Sequence, residues 1–480
     1  MAWTRSQIRS SLPWIIFISS ISFIVFLHFY FLAPGVDAGI HMYGSYLLTK
    51  GFLPFQALWN NKPPLIYFIG TAGFLLQSNP FLGVRILELL IFFLDLYLIH
   101  KIVKAASLGQ SLAYLITFSV IYPLCWDQGF LTETFVIPIV LLTLHLFLQK
   151  NKYFEFTAAL LTVLAFLLKQ NAVIIVVGIL AIDLFSHYRS RSTGQKAIKY
   201  LISLAVYSGL VFLLLNAFGI WEDFYDQVFA YNSRAYAQIP FVRLVVDHLR
   251  HNSFLSYRGI SAVAIFNVSI LITAWNYWKR YRRGESFAMK DHFLLASIGI
   301  YAFAYYFVYI SGKTYPHYFM LLLVPAIFIM GYYVRRTIAG RLALCCLFVI
   351  AIYANLSMLN FDREVELGRK EVARYIHSHS TPEDRINIDR FGNQYLYVMA
   401  DRLCNSKFIV PLLENNGYTD LYKKIIKEDF ADHPPHFVVV NNMHYRPPDP
   451  ANFYTQILSK TMQDYVVVFE NSVFKVYGRK

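Results

Sequence analysis

Residues 64 to 77 read PLIYFIGTAGFLLQ, and whether they cross a membrane decides the topology of everything that follows. A helix rises 1.5 Å per residue, so a stretch this short falls well below the ~30 Å of a bilayer's hydrocarbon core. Pro63 and Pro64 suit the first turn of a helix, where a missing N–H costs nothing. The stretch therefore reads as a helix lying along the outer membrane surface. A full crossing here would invert every downstream loop.

The rest of the chain makes the bilayer question unavoidable. Of 480 residues, 57% are hydrophobic and 18% aromatic, while only 15% are charged. A soluble globule carries about a quarter charged residues. Apolar runs stand at 12–32, 82–100, 111–126, 134–149, 154–168, 171–186, 198–218, 254–277, 292–310, 318–334 and 342–359. That is a polytopic α-helical membrane protein with about 11 transmembrane helices. The first run follows Arg5 and Arg9 and lacks a small-residue cleavage site, so it reads as a retained anchor with the N-terminus inside. An odd number of crossings then puts the C-terminus outside.

The short basic loops check this count, because Lys and Arg gather on the inner side. Lys101 and Lys104, Lys150 and Lys152, Arg189 to Lys199, Lys279 to Arg283, and Arg335 to Arg341 all fall inside. They do so only if residues 64 to 77 stay at the surface. The net charge of +14 has the same origin: the first 360 residues hold 27 basic against 13 acidic residues, and the last 120 hold 16 of each. No nucleic-acid partner is implied. The four cysteines form neither a disulfide framework nor a zinc-type spacing.

The chain divides into a membrane domain, 1–359, with outer loops at 33–81 and 219–253, and a soluble domain, 360–480. In the latter, a helix near 364–379 precedes strand-like RINI and helix-like YLYVMAD. Strand-like KFIV at 407–410 follows, then a helix near 418–430, FVVV from 437, a helix near 452–461 and terminal strands YVVVF and VFKVY. Helices alternating with short apolar strands predict an α/β domain with a largely parallel sheet and a closing hairpin.

Upstream of the short helix, residues 34 to 68 read PGVDAGIHMYGSYLLTKGFLPFQALWNNKPPLIYF. Its polar residues Asp37, His41 and Lys62 face outward, as do Asp127, Glu133, Lys169 with Gln170, and Lys313 to Tyr318. The loop 219–253 adds Glu222, Asp223, Asp226, Asn232, Arg234, Tyr236, Arg243 and Arg250. Ionisable groups at a membrane edge point to a shared cavity. Asp37 reads as a helix cap, a solvated loop acid or a general base, and Lys62 as a snorkelling lysine or a point charge for phosphate. His317 reads as an interfacial histidine or a wall of the cavity.

The order P-G-x-D-x-G, Y-x-x-x-L-x-x-G-x-x-P-F, W-N-x-K-P-P-L-x-Y resembles the first outer loop of the bacterial protein-mannosyltransferase and aminoarabinose-transferase superfamily. The resemblance continues in F-L-T-E-T-F around Glu133, F-L-L-K-Q-N at Lys169, Y-P-H-Y-F at His317 and Tyr318, and P-P-H-F-V-V-V from Pro434. It implies an inner-membrane C-type glycosyltransferase whose donor is a polyprenyl-phosphate sugar, with an extracytoplasmic C-terminal domain. It further implies Asp37 as base, Lys62 as donor-phosphate ligand, and Glu133 or Asp127 as a second acid. Lys169 or an arginine such as Arg234 would steady the leaving phosphate. Two departures stand out. Ala38 and Gly39 follow Asp37 where many members have a second acid, and Asn61 replaces a glutamate found before K-P-P in some. No cofactor is implied with certainty, and a divalent metal is left open.

The expected activity is inverting transfer of the sugar to an acceptor hydroxyl on a glycan, lipid or protein at the outer face. The rival readings are a flippase for lipid-linked sugars, for which Glu88, Asp95 and Asn267 are the candidates at depth, and a polymerase or ligase of lipid-linked glycans.

Overall fold

The computed structural model describes residues 35–125, 129–149, 151–186, 192–236, 257–286, 289–310, 320–389, 393–409, 418–442 and 452–480. The first apolar run, 12–32, lies outside these residues, as do Asp127, His317 and Tyr318.

The chain enters through α1 (Val36–Thr49), with Asp37 in its first turn, where a carboxylate meets the positive end of the helix dipole. The 64–77 stretch forms α2 (Leu65–Leu76), and its 12 residues reach only about 18 Å. It returns on itself into α3 (Pro80–Ala105), started by Asn79, whose side chain accepts from the N–H groups of Phe81 and Leu82. The two helices meet at glycines: a Cβ on Gly83 would lie 1.9 Å from the Gly73 carbonyl oxygen. A side chain there cannot be absorbed by rotamer change, since the obstacle is backbone. Gly83→Ala should therefore lower stability by about 1–3 kcal/mol, read as an earlier thermal midpoint in detergent.

Helices α4 (Leu112–Cys125), α5 (Thr132–Leu148), α6 (Phe154–Leu168), α7 (Val173–Ser186) and α8 (Ser192–Ala217) follow the expected apolar runs. So do α11 (Tyr257–Arg282), α12 (Met289–Ile310) and α13 (Met320–Arg336). Between α8 and α11, short α9 (Trp221–Phe224), a π-helical turn and α10 (Tyr231–Tyr236) begin the long loop 219–253. Among the described residues one helix, Gly194–Ala217, is both long and apolar enough to cross a bilayer by length and composition alone. It turns Leu201, Ile202, Leu213 and Leu214 outward, a surface suited to hydrocarbon rather than water.

The helix α14 (Ile338–Ser378) runs unbroken for 41 residues, so the compositional boundary at 360 falls inside a helix. The tail then forms β1 (Arg385–Ile388), α15 (Tyr395–Ala400), β2 (Leu403–Cys404), α16 (Asp420–Asp432), β3 (Phe437–Asn441), α17 (Phe453–Thr461), β4 (Tyr465–Glu470) and β5 (Phe474–Arg479). The sheet order is β2-β1-β3-β5-β4. β1 pairs in parallel with both β2 and β3, whereas β5 runs antiparallel to both β3 and β4, so the sheet is mixed rather than largely parallel, because the closing hairpin inserts its second strand beside β3. The expected strand at 407–410 is corrected too. The second strand is 403–404 rather than KFIV, because Phe408 is buried by stacking on Trp59 at 5.7 Å and does not pair in the sheet.

The tail sits on α1. Gly39, Tyr43, Tyr46 and Lys50 fall on one helical face. Gly39 leaves room for Tyr395, and the Cys404 N–H donates to the Tyr43 hydroxyl at 2.8 Å. Tyr46 donates to Asp401 at 2.7 Å, and Lys50 pairs with the same carboxylate. The first loop and the tail therefore share one side of the molecule.

Candidate active site

The opposite face of α1 carries Asp37, His41 and Ser45, four residues apart and so stacked along one side of the helix. Lys62 reaches it from the turn before α2. That turn is built by its own polar residues: the Asn60 side chain donates to the Tyr67 hydroxyl at 2.7 Å and accepts the Lys62 N–H. The Asn61 carbonyl accepts from Gln170 at 2.9 Å and from Asn232 at 3.0 Å, tying the turn to the start of α7 and to α10. So held, the Lys62 ammonium lies 2.6 Å from Asp37 Oδ2. Both side chains keep partial access to solvent, 19% and 25%.

A second acid–base pair lies deeper. Glu133, in the first turn of α5, forms an ion pair with Lys169 at the end of α6, and Thr132 donates to its other oxygen at 2.8 Å. These two side chains are almost wholly buried, at 2% and 9% exposure. Burial pulls the Lys169 pKa down, and the Glu133 charge opposes that pull. The fields of Lys62 and Asp37 reach Lys169, and those of Lys62, Asp37 and Glu133 reach His41. The five groups form one electrostatic unit.

His41 completes it. Its ring is fully buried, and burial, reinforced by Lys62, lowers its pKa to about 4, so it is neutral at pH 7. Nδ1 stands 2.9 Å from the Phe130 carbonyl, which fixes the proton on that nitrogen. Phe130 has a left-handed φ of 42°, costly for a bulky residue. It is held there by Glu88, which accepts its N–H, by Arg85 paired with Glu88 at 2.7 Å, and by the His41 bond itself. Glycine at 129 is required on two counts: φ is 65°, and a Cβ would fall 2.0 Å from the Arg85 guanidinium.

Of the site residues expected from sequence, Asp37, Lys62, Glu133 and Lys169 come together. Arg234 does not: it pairs with Asp226 at 3.2 Å on the surface, and Asp226 also accepts from Tyr422 of the tail. From sequence Glu88 is only a candidate at depth, and His41 is only an outward polar residue. Its spacing of four from Asp37 was the available signal for His41. Among the described residues no three of His, Cys, Asp and Glu converge to hold a metal ion. The Asn61 amide, at the place of the departed glutamate, is engaged with Asn232 at 2.8 Å.

Residues 61–216 match the family described as dolichyl-phosphate-mannose-protein mannosyltransferase. No curated protein matches the sequence. The fold is shared with ArnT from Cupriavidus metallidurans, in its undecaprenyl-phosphate-bound structure (TM-score 0.59, 12% identity, 97% of this chain and 98% of that one) and in its apo structure (0.59, 12%, 98% and 98%). It is also similar to the arabinofuranosyltransferase AftD from Mycobacteria (0.51, 12%, 100% and 40%). Family match and fold agree with the resemblance carried by the first loop, and with glycosyltransferase as the class of enzyme.

Proposed function

We propose that this chain transfers a sugar from a polyprenyl-phosphate donor to an acceptor hydroxyl at the outer face of a bacterial inner membrane, with inversion. The observation that carries the reading is the partly exposed Asp37–Lys62 pair beside the buried Glu133–Lys169 pair. It offers one carboxylate and one ammonium to solvent at the end of a helix too short to cross the membrane. The undecaprenyl phosphate held by the similarly folded ArnT supports a lipid-phosphate donor.

The donor phosphate competes with Asp37 for Lys62. Once the phosphate takes the ammonium, the carboxylate is released to act as base. The acceptor oxygen attacks the anomeric carbon and its proton passes to Asp37. The bond from that carbon to the phosphate oxygen breaks, and its electron pair leaves with polyprenyl phosphate. A single base suffices for one displacement, in contrast to the two carboxylates of glycoside hydrolysis. Lys169, held by Glu133, adds positive potential toward the leaving group. Asp127, His317 and Tyr318 remain in the proposal by resemblance alone, and Arg234 would have to leave Asp226 to join them.

Topology supports the same reading. Ten expected crossings separate α1 from the tail, an even number, and the two are in contact. The loops read as inward also meet one another: Arg335 donates to the Leu108 carbonyl at 2.6 Å, and Lys196 pairs with Glu155 at 4.0 Å.

The test is transfer by purified protein from undecaprenyl-phosphate sugars to candidate glycan, lipid and protein acceptors. Lys62→Gln should raise the KM for donor at least about tenfold, as loss of a charge-assisted bond requires. Translocation of the sugar lipid across vesicles without transfer would favour a flippase and overturn the proposal.

A further inference from the structure

The charged groups of the site are paired among themselves, Asp37 with Lys62 and Glu133 with Lys169. His41 differs. Its Nδ1 is committed to the Phe130 carbonyl, which leaves Nε2 as a bare lone pair. That atom is fully buried and has no hydrogen-bond partner among the described residues. Buried polar atoms are nearly always paired, so this lone pair is an acceptor position that a donor can fill.

The chemistry of that donor is restricted. A phosphate or carboxylate oxygen carries no proton at neutral pH and would face the lone pair with like charge. An uncharged O–H fits. The position is restricted too: the ring sits one helical turn from Asp37, and the Asp37, Lys62 and Glu133 charges all act on it. Nor can the ring turn away without breaking its bond to Phe130, whose left-handed backbone is clamped from the other side by Glu88 and Arg85.

We propose that His41 Nε2 reads a hydroxyl of the transferred sugar, making it a specificity-determining residue one turn along α1 from the base. The inference rests on the sugar-transfer reading and adds the group that tells one sugar from another. Phosphate recognition falls to Lys62, which every lipid-phosphate donor satisfies equally. Sugar recognition needs a directional neutral acceptor, and a site built to bond a hydroxyl rejects an analogue lacking it far more strongly than an apolar pocket does.

The experiment takes the full chain and the best donor among undecaprenyl-phosphate mannose, glucose, galactose and arabinose, together with its singly deoxygenated forms. Wild type should lose about 10- to 100-fold in kcat/KM on one deoxy donor. His41→Phe, which keeps a ring and removes the acceptor, should show a comparable loss on the complete donor and little further loss on that deoxy form. His41→Gln, which retains an acceptor oxygen, should restore part of the discrimination. Inhibition by bare undecaprenyl phosphate should stay within twofold in both variants, since it carries no sugar, and this separates sugar reading from general damage. An equal deoxy penalty in wild type and His41→Phe, or no penalty for any deoxy donor, overturns the inference. Absence of transfer by wild type with every donor would instead remove the transfer reading. The affinity ratio of sugar-bearing to bare lipid then decides for His41, and an unchanged ratio in His41→Phe counts against it.

Discussion

Asp37→Asn should lower turnover by about two to four orders of magnitude, the range of a lost general base. The substitution is close to isosteric at a position that keeps access to solvent, so the fold has little to lose. The second part of the expectation is less usual. In the resting protein Lys62 is neutralised by Asp37 at 2.6 Å, and donor phosphate has to displace that carboxylate. With an amide in its place the carboxylate that competes with donor phosphate for Lys62 loses its charge. The KM for donor should hold steady or fall while kcat collapses, a combination that general unfolding cannot produce. Initial rates over a range of donor concentration, at saturating acceptor, read both. Turnover within threefold of wild type would remove Asp37 as the base.

The coupling between Asp37 and Lys62 also marks the limit of what could be read from the chain. Both residues stand out in sequence, yet nothing in a separation of 25 positions says that one holds the other in check. The short helix itself was legible because Pro63 and Pro64 mark its first turn and a short apolar run follows them. The terminal hairpin was legible because alternation and spacing are local properties, but which strand the hairpin lies beside is not local, and β5 joins β3 antiparallel where a largely parallel sheet is expected. KFIV was misread for a tertiary reason: Phe408 is apolar in order to meet Trp59 of the first loop, and a single sequence does not distinguish an apolar run made for a sheet from one made for docking. His41 was hidden in the same way. Its partner is 89 residues distant, and the strained turn at Gly129 and Phe130 that gives the ring its direction has no sequence signature beyond the glycine.

Lys169→Met should cost about 3–5 kcal/mol, because it removes the ammonium that faces the buried Glu133 carboxylate. The Thr132 hydroxyl still donates to that carboxylate, but a neutral bond does not replace an ammonium in a site closed to water. Glu133→Gln errs in the opposite direction. It removes the charge that opposes burial at Lys169, so the lysine's pKa falls further and the amine tends to shed its proton. If the pair serves mainly to hold α5 against α6, replacing both residues together should recover most of the stability lost by either, since no charge is then left stranded. Thermal unfolding of the two single variants and the double variant in detergent gives the coupling directly. Activity should not recover with stability: the double variant loses the positive potential that Lys169 directs toward the leaving phosphate, and its kcat should stay at least about tenfold below wild type. A double variant that regains full turnover would mean that this buried pair braces the two helices and takes no part in the chemistry, leaving Lys62 alone to steady the departing phosphate.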